Sequence, residues 1–204
     1  MLLRSSLLAL ALVAGGAALA AAQDFGVMES PETVQRGTFK LVGHPMFVLG
    51  EGNADNELGV VLRGGYGFTD RFDAELGAAI YDNVTFLGVN AELWLVRALP
   101  GSTAPNFAVR GGVHLAQGDG PDASGVDLTA LLSSRLSPNL EFVGSLDYTR
   151  RFQDAPAEDF NTVHLVPGVE YRLAQNLDLL AEFGVGLNDE AANYFSAGLA
   201  FYLR

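Results

Sequence analysis

The chain has 204 residues, enough for one sizeable domain or two small ones. It contains no cysteine, which excludes disulfides, zinc-thiolate centres and cysteine nucleophiles. Its 24 Asp and Glu against 12 Lys and Arg give a formal net charge of −12, a balance hostile to nucleic acid as a partner.

The opening MLLRSSLLALALVAGGAALAAAQ places Arg4 in a short basic start, followed by an apolar run from Leu7 to Ala14. Ala18-Leu19-Ala20 or Ala20-Ala21-Ala22 then fits an A-x-A cleavage site, so residues 1–22 are expected to be a cleaved secretory signal peptide. A single anchoring helix is the weaker alternative, because the apolar core is short and rich in Gly and Ala. Removing Arg4 leaves 11 basic residues against 24 acidic ones. No later segment has the ~20 consecutive apolar residues of a membrane helix. Residues 23–36 are polar and patternless, and are expected to form a periplasmic lead-in.

From Gly37 onward, apolar and polar residues alternate with the period of two that marks a strand. The alternation predicts strands at 38–49, 57–68, 72–81, 85–96, 106–116, 126–136, 140–149, 161–173, 177–187 and 194–204. Globular strands usually run about five or six residues, whereas a tilted strand crossing a bilayer needs ~9–11. These lengths fit the bilayer.

The connections differ from one side to the other. Phe68-TDR-Phe72, Leu136-SPN-Leu140 and Leu173-AQN-Leu177 share a three-residue turn followed by Asp73, Glu141 or Asp178. Such a hairpin commonly combines a type I turn with one left-handed residue, a role that suits Asn139 and Asn176. The other side carries longer acidic or Gly-rich loops, as in an outer-membrane barrel with short periplasmic turns and longer outer loops.

One face of the strands is apolar throughout, for example Leu58, Val60, Leu62 and Leu76, Ala78, Ile80, and carries no charge in any predicted strand. The other face takes Lys40, Arg63, Asp73, Glu75, Glu92, Arg110, Asp127, Arg135, Glu141, Asp147, Glu170, Arg172, Asp178, Glu182 and Arg204. Since a one-residue slip exchanges the faces, so clean a separation marks a strong solvent constraint. The charged face also holds Gly59, Gly77, Gly88, Gly112, Gly168, Gly184 and Gly198, small residues suited to a confined interior. A lumen of interleaved acids and arginines with lipid outside is therefore expected, and a soluble secreted barrel binding a lipophilic ligand is the alternative. The closing segment YFSAGLAFYLR keeps the alternation to Arg204, as a strand that pairs with the first one requires.

GYGFTDRFDAELG (65–77), EYRLAQNLDLLAEFGVGL (170–187) and NYFSAGLAFYLR resemble small bacterial outer-membrane β-barrel proteins, over residues 37 to 204. The resemblance implies an all-β, antiparallel, up-and-down transmembrane barrel of about ten strands, with eight or twelve as alternatives. It also implies residence in the outer membrane of a Gram-negative type envelope, assembly by the barrel-assembly machinery, and lipid as the surrounding partner. No cofactor and no nucleic acid are expected, and the chain is expected to act as a monomer.

Signals for chemistry are weak. His44, His114 and His164 fall on the lumen face but on separated strands, with no carboxylate at ligand spacing, and read as members of a hydrogen-bond network. The loop QGDGPDASGVD (117–127) offers Asp119, Asp122 and Asp127, but lacks the order and closing Glu of a calcium loop. The motif requirements of barrel proteases and lipid A deacylases are not met, so no catalytic residue is assigned. The expected site is instead a polar network in the lumen: Arg63, Glu75, Glu92, Arg110, His114, Asp127, Arg135, Asp147, His164, Glu170, Arg172 and Glu182. The function expected is a non-enzymatic barrel with a structural or interaction role, or a narrow cation-preferring channel, since eight-stranded interiors are filled by side chains while porins of 16–18 strands are open.

Overall fold

The computed structural model describes residues 25–26, 30–31, 34–50, 55–99, 102–119, 122–153 and 159–204, and the expected signal peptide lies outside them. Ten strands follow one another: β1 (Phe39–Val48), β2 (Glu57–Gly67), β3 (Phe72–Ile80), β4 (Val84–Val96), β5 (Asn106–Gly118), β6 (Ala123–Ser137), β7 (Leu140–Gln153), β8 (Phe160–Ala174), β9 (Leu177–Gly186) and β10 (Tyr194–Leu203). Each pairs antiparallel with its chain neighbours, and β1 pairs with β10, so the sheet is a closed barrel. The seam runs from Phe39 opposite Leu203 to Val48 opposite Tyr194, which gives the final segment its expected role as the closing strand. Two of the tight turns follow a register shift, between Arg135 and Ser137 and between Arg172 and Ala174. Those are the bulges that three-residue hairpins commonly carry.

The apolar face points outward. Leu58, Leu62, Leu76 and Leu87 are 58%, 54%, 68% and 54% exposed, and every strand contributes large exposed hydrophobics of this kind. A soluble barrel would bury that face, so the soluble, lipophile-binding alternative fails: the exterior is a continuous apolar band suited to lipid. Near the tight turns the band carries aromatics. Phe39, Tyr66, Phe68 and Phe72 pack in sequence with ring centroids 4.8, 5.0 and 5.9 Å apart, in the position of an interfacial girdle.

Two strands contain proline, which donates no ladder hydrogen bond. Pairing of β1 with β10 skips from Gly43–Leu199 to Met46–Ser196 around Pro45, and pairing of β8 with β9 skips from Leu165–Val185 to Gly168–Glu182 around Pro167. At the first gap the Ser196 hydroxyl donates to the Pro45 carbonyl at 2.8 Å, so a side chain replaces a missing ladder contact.

The segment before β1 departs from expectation. Residues 23–36 were expected outside the barrel, but Phe25 is 4% exposed and Val34 5% exposed, both against lumen side chains. Burial there takes the apolar side chains of Phe25 and Val34 out of water. Just before β1, Gly37 adopts a left-handed φ of 77°, and its N–H donates to Gly67 O at 2.8 Å. That turn sends the chain from the interior into the wall.

Leu76 lies at the middle of β3, opposite Gly64 and Val89. Leu76→Arg is expected to cost ~2–4 kcal/mol, the range for arginine facing lipid at the bilayer midplane. Equilibrium unfolding in lipid vesicles measures this, and an unchanged stability would contradict the outward orientation of this face.

Candidate functional site in the barrel interior

Alternation turns every second side chain inward, and ten strands leave a bore narrow enough for opposite walls to interact. Nine of the twelve expected network residues are buried there: Arg63, Glu75, Glu92, Arg110, His114, Asp147, His164, Glu170 and Glu182. Asp127 and Arg135 are half-buried. Arg172 departs from the expectation: its side chain is 48% exposed at the tight-turn mouth, 3.8 Å from Asp178. Its strand ends only two residues later, where the wall no longer encloses an inward side chain.

The buried groups form several local clusters. Glu75 on β3 accepts from Arg110 on β5 at 3.1 Å and faces Arg63 on β2 at 3.4 Å, so one carboxylate joins three strands. Asp127 on β6 meets His114 Nδ1 on β5 at 2.8 Å and accepts the Thr149 hydroxyl of β7 at 2.8 Å. Asp147 accepts the Ser145 hydroxyl at 3.0 Å and sits opposite His164 in register. Near the tight turns Ser133 donates to Glu141. Pairing of this kind lowers the cost of burying these groups.

The three histidines do not converge. His44 meets Ser196, His114 meets Asp127, and His164 donates from Nε2 to the Ala192 carbonyl at 3.0 Å. Distance in sequence hid the contact between His44 Nδ1 and Ser196 Oγ, at 2.6 Å. It has the residue types of a nucleophile and base, but the wrong proton arrangement. The single Ser196 hydroxyl hydrogen goes to the Pro45 carbonyl, so Nδ1 carries its own proton and donates. Both residues are buried, with 2% and 1% exposure, which closes the pair to substrate. Of the three acids in the 117–127 loop, Asp127 is engaged with His114 and Thr149, so the loop does not gather a cation-binding set around it.

An apolar layer at the long-loop end was not expected. Phe25, Met46, Val48, Val61, Tyr81, Phe86 and Tyr194 belong to one buried cluster. Tyr81 stacks edge-on against Phe86 at 5.9 Å, Phe86 against His114 at 6.2 Å, and Tyr194 against His164 at 5.6 Å. The Tyr81 hydroxyl reaches Met46 Sδ at 3.1 Å. Arg151, also outside the expected set, lies over the Phe86 and Phe160 rings at 4.7 and 5.1 Å. Continuing the alternation of β7 past Asp147 and Thr149 to 151 would have found it.

The bore is therefore asymmetric. At the tight-turn end a cavity of about 460 Å³ opens among Val34, Thr38, Glu170, Arg172, Asn176, Asp178 and Tyr202. Towards the other end the aromatic layer crosses the interior.

No family model matches the chain, and no curated protein matches it in sequence. Solved structures do match in shape. The COG4313 outer-membrane channel from Pseudomonas putida F1 superposes with a TM-score of 0.57 at 11% identity, over 84% of this chain and 97% of that one. The NanC porin gives a TM-score of 0.45 at 11% identity, over 82% and 100%. Ail, the attachment invasion locus protein of Yersinia pestis, gives 0.35 at 12% identity, over 83% and 100%. These similarities concern the fold, and the chain has the architecture of a bacterial outer-membrane β-barrel.

Glu75→Ala removes the carboxylate that Arg63 and Arg110 share inside the wall, and is expected to cost ~3–5 kcal/mol, as for breaking a buried ion pair. Arg172→Ala at the open mouth is expected to cost under ~1 kcal/mol, as for an exposed pair. Urea unfolding of the two variants in detergent micelles, compared with the parent, gives both values; equal effects would contradict the difference in burial.

Proposed function

We propose that this chain is a non-enzymatic outer-membrane β-barrel with a structural or interaction role in the bacterial envelope, and that its bore is closed to solute as it stands. The observation that carries the reading is the aromatic layer across the interior at the long-loop end. Its partners are outer-membrane lipid along the apolar exterior and, during biogenesis, the barrel-assembly machinery; it acts as a monomer. The apolar exterior and the fold shared with the COG4313 channel support the outer membrane as its location.

A narrow cation-preferring channel is the second reading, and one observation favours it. Among the described residues, eight acids are buried (Asp73, Glu75, Glu92, Glu141, Asp147, Glu170, Asp178, Glu182) against four bases (Lys40, Arg63, Arg110, Arg151). A path lined in that ratio would favour cations by the logic of charged rings in channels.

Reconstitution into planar bilayers tests the closed bore. Silence, or small and infrequent cation-selective steps, is the expected result. Large, stable, weakly selective steps would overturn it. Cell fractionation with heat-modifiability gels tests the location: the folded chain is expected in the outer membrane, with a mobility that changes on boiling. Recovery from the soluble periplasm without detergent would refute it.

A further inference from the structure

Phe25 and Gly26 precede the first strand, yet they lie inside the bore. On one side, a Cβ added to Gly77 of β3 would stand 3.1 Å from Phe25 Cδ1, and one added to Gly88 of β4 would stand 2.9 Å from Phe25 Cζ. The absence of those two side chains is what makes room for the ring. Phe86 and His114 complete the seat, with centroids 6.4 and 6.3 Å from Phe25.

Gly26 faces the opposite wall. A Cβ there would meet Glu182 Oε1 of β9 at 2.6 Å and His44 Cε1 of β1 at 3.1 Å, and its φ of 61° is a left-handed value that glycine adopts freely. In the ring of ten, β9 is five strands from β4. Two consecutive residues thus bridge the full diameter of the barrel.

The same segment is held again at the tight-turn mouth. Val34 N–H donates to Asp73 at 2.6 Å, and Arg204 Nη2 donates to Gln35 Oε1 at 2.6 Å. Gly67 lets the segment's backbone come against the wall, since a Cβ there would stand 2.2 Å from Val34 O. Arg36 forms an isolated bridge with Gly67, outside the ten strands.

We propose that Phe25 and Gly26, held at the mouth through Val34 and Gln35, plug the bore with Phe25 as the anchor, and that unseating them opens a path for small cations. The contacts are those of a docked ligand: one ring in a glycine-floored aromatic seat and a few hydrogen bonds at the mouth. The vacated space is lined by the interior that buries twice as many acids as bases, which sets the cation preference. The proposal rests on the reading of the chain as a closed membrane barrel and deepens it by naming what closes it.

The test uses the full chain with Phe25→Asp or Phe25→Ala, both of which leave every wall residue in place. Phe25→Asp puts a carboxylate among the rings of Phe86 and His114, where desolvation expels it. Folding is checked by heat-modifiability, and conductance is recorded in planar bilayers. Phe25→Asp is expected to raise the cation conductance several-fold over a quiet parent, with a smaller rise for Phe25→Ala. A synthetic peptide of residues 23–36, added from the tight-turn side, is expected to quiet the Phe25→Asp barrel again, whereas the same peptide with Ala at position 25 does not. Folded variants as silent as the parent would overturn the plug, because the walls alone would then close the bore. Failure of both variants to fold would overturn it too, since Phe25 would then belong to the obligatory core. A parent that conducts as strongly as the variants would instead overturn the closed-barrel reading.

Discussion

An unpaired backbone amide in hydrocarbon costs several kcal/mol, and the whole molecule follows from that constraint. A sheet with free edges is excluded, so β1 and β10 must meet, and the chain carries its alternation through Leu203 to let them do so. Where proline interrupts the seam, the Ser196 hydroxyl reaches Pro45 O. Closure then fixes the sorting of side chains. With lipid on one side, every charged residue inside the bilayer has to face the bore, whatever it does there.

That sorting creates a packing problem which the glycines solve. A ten-stranded bore cannot hold ten inward rows of large side chains. Aromatic rings therefore lie flat against positions without a side chain. A Cβ on Gly59 would stand 2.3 Å from the Tyr81 ring, one on Gly184 would stand 2.0 Å from the Tyr194 ring, and one on Gly125 would stand 2.3 Å from His114. Phe25 over Gly77 and Gly88 follows the same rule with a ring supplied from outside the wall. Seating a ring over a strand glycine also shields the backbone that glycine exposes, so one pairing fills volume and protects hydrogen bonds.

The barrel was legible in the sequence because period-two alternation is a local signal repeated ten times, and lipid permits few exceptions to it. Strand ends shifted most at the long-loop side. There β6 begins at Ala123 rather than 126, and β7 continues to Gln153 rather than 149, because pairing between neighbours carries a strand beyond the residues whose polarity requires it. Arg150 and Arg151 illustrate the cost of stopping early. The first turns outward at the rim, 3.6 Å from Asp159, and the second turns inward to the aromatic layer. Inward orientation of Arg63, Glu75 and Asp147 was readable from alternation alone, but their partners were not. Glu75 joins residues from strands two apart, and His44 meets Ser196 across the closing seam, 152 positions away in sequence. The placement of Phe25, Gly26 and Val34 had no periodic signal, since they lie outside the strands and take their positions from the cavity that receives them.

Charge in the bore is partly solvent-exposed at the tight-turn mouth and enclosed farther in. At the tight-turn mouth Glu170, Asp178 and Arg172 border the open cavity, where solvent lowers the cost of an imperfect pair such as Arg172 and Asp178 at 3.8 Å. Farther in, enclosed groups pair with one another: Arg110 with Glu75 at 3.1 Å, His114 with Asp127 at 2.8 Å, and Thr149 with Asp127 at 2.8 Å. An enclosed carboxylate gains from hydrogen bonds from neutral donors or from a cation within reach, because solvent screens it little. The enclosed pair of His114 and Asp127 lies against Phe25, a ring that no strand supplies.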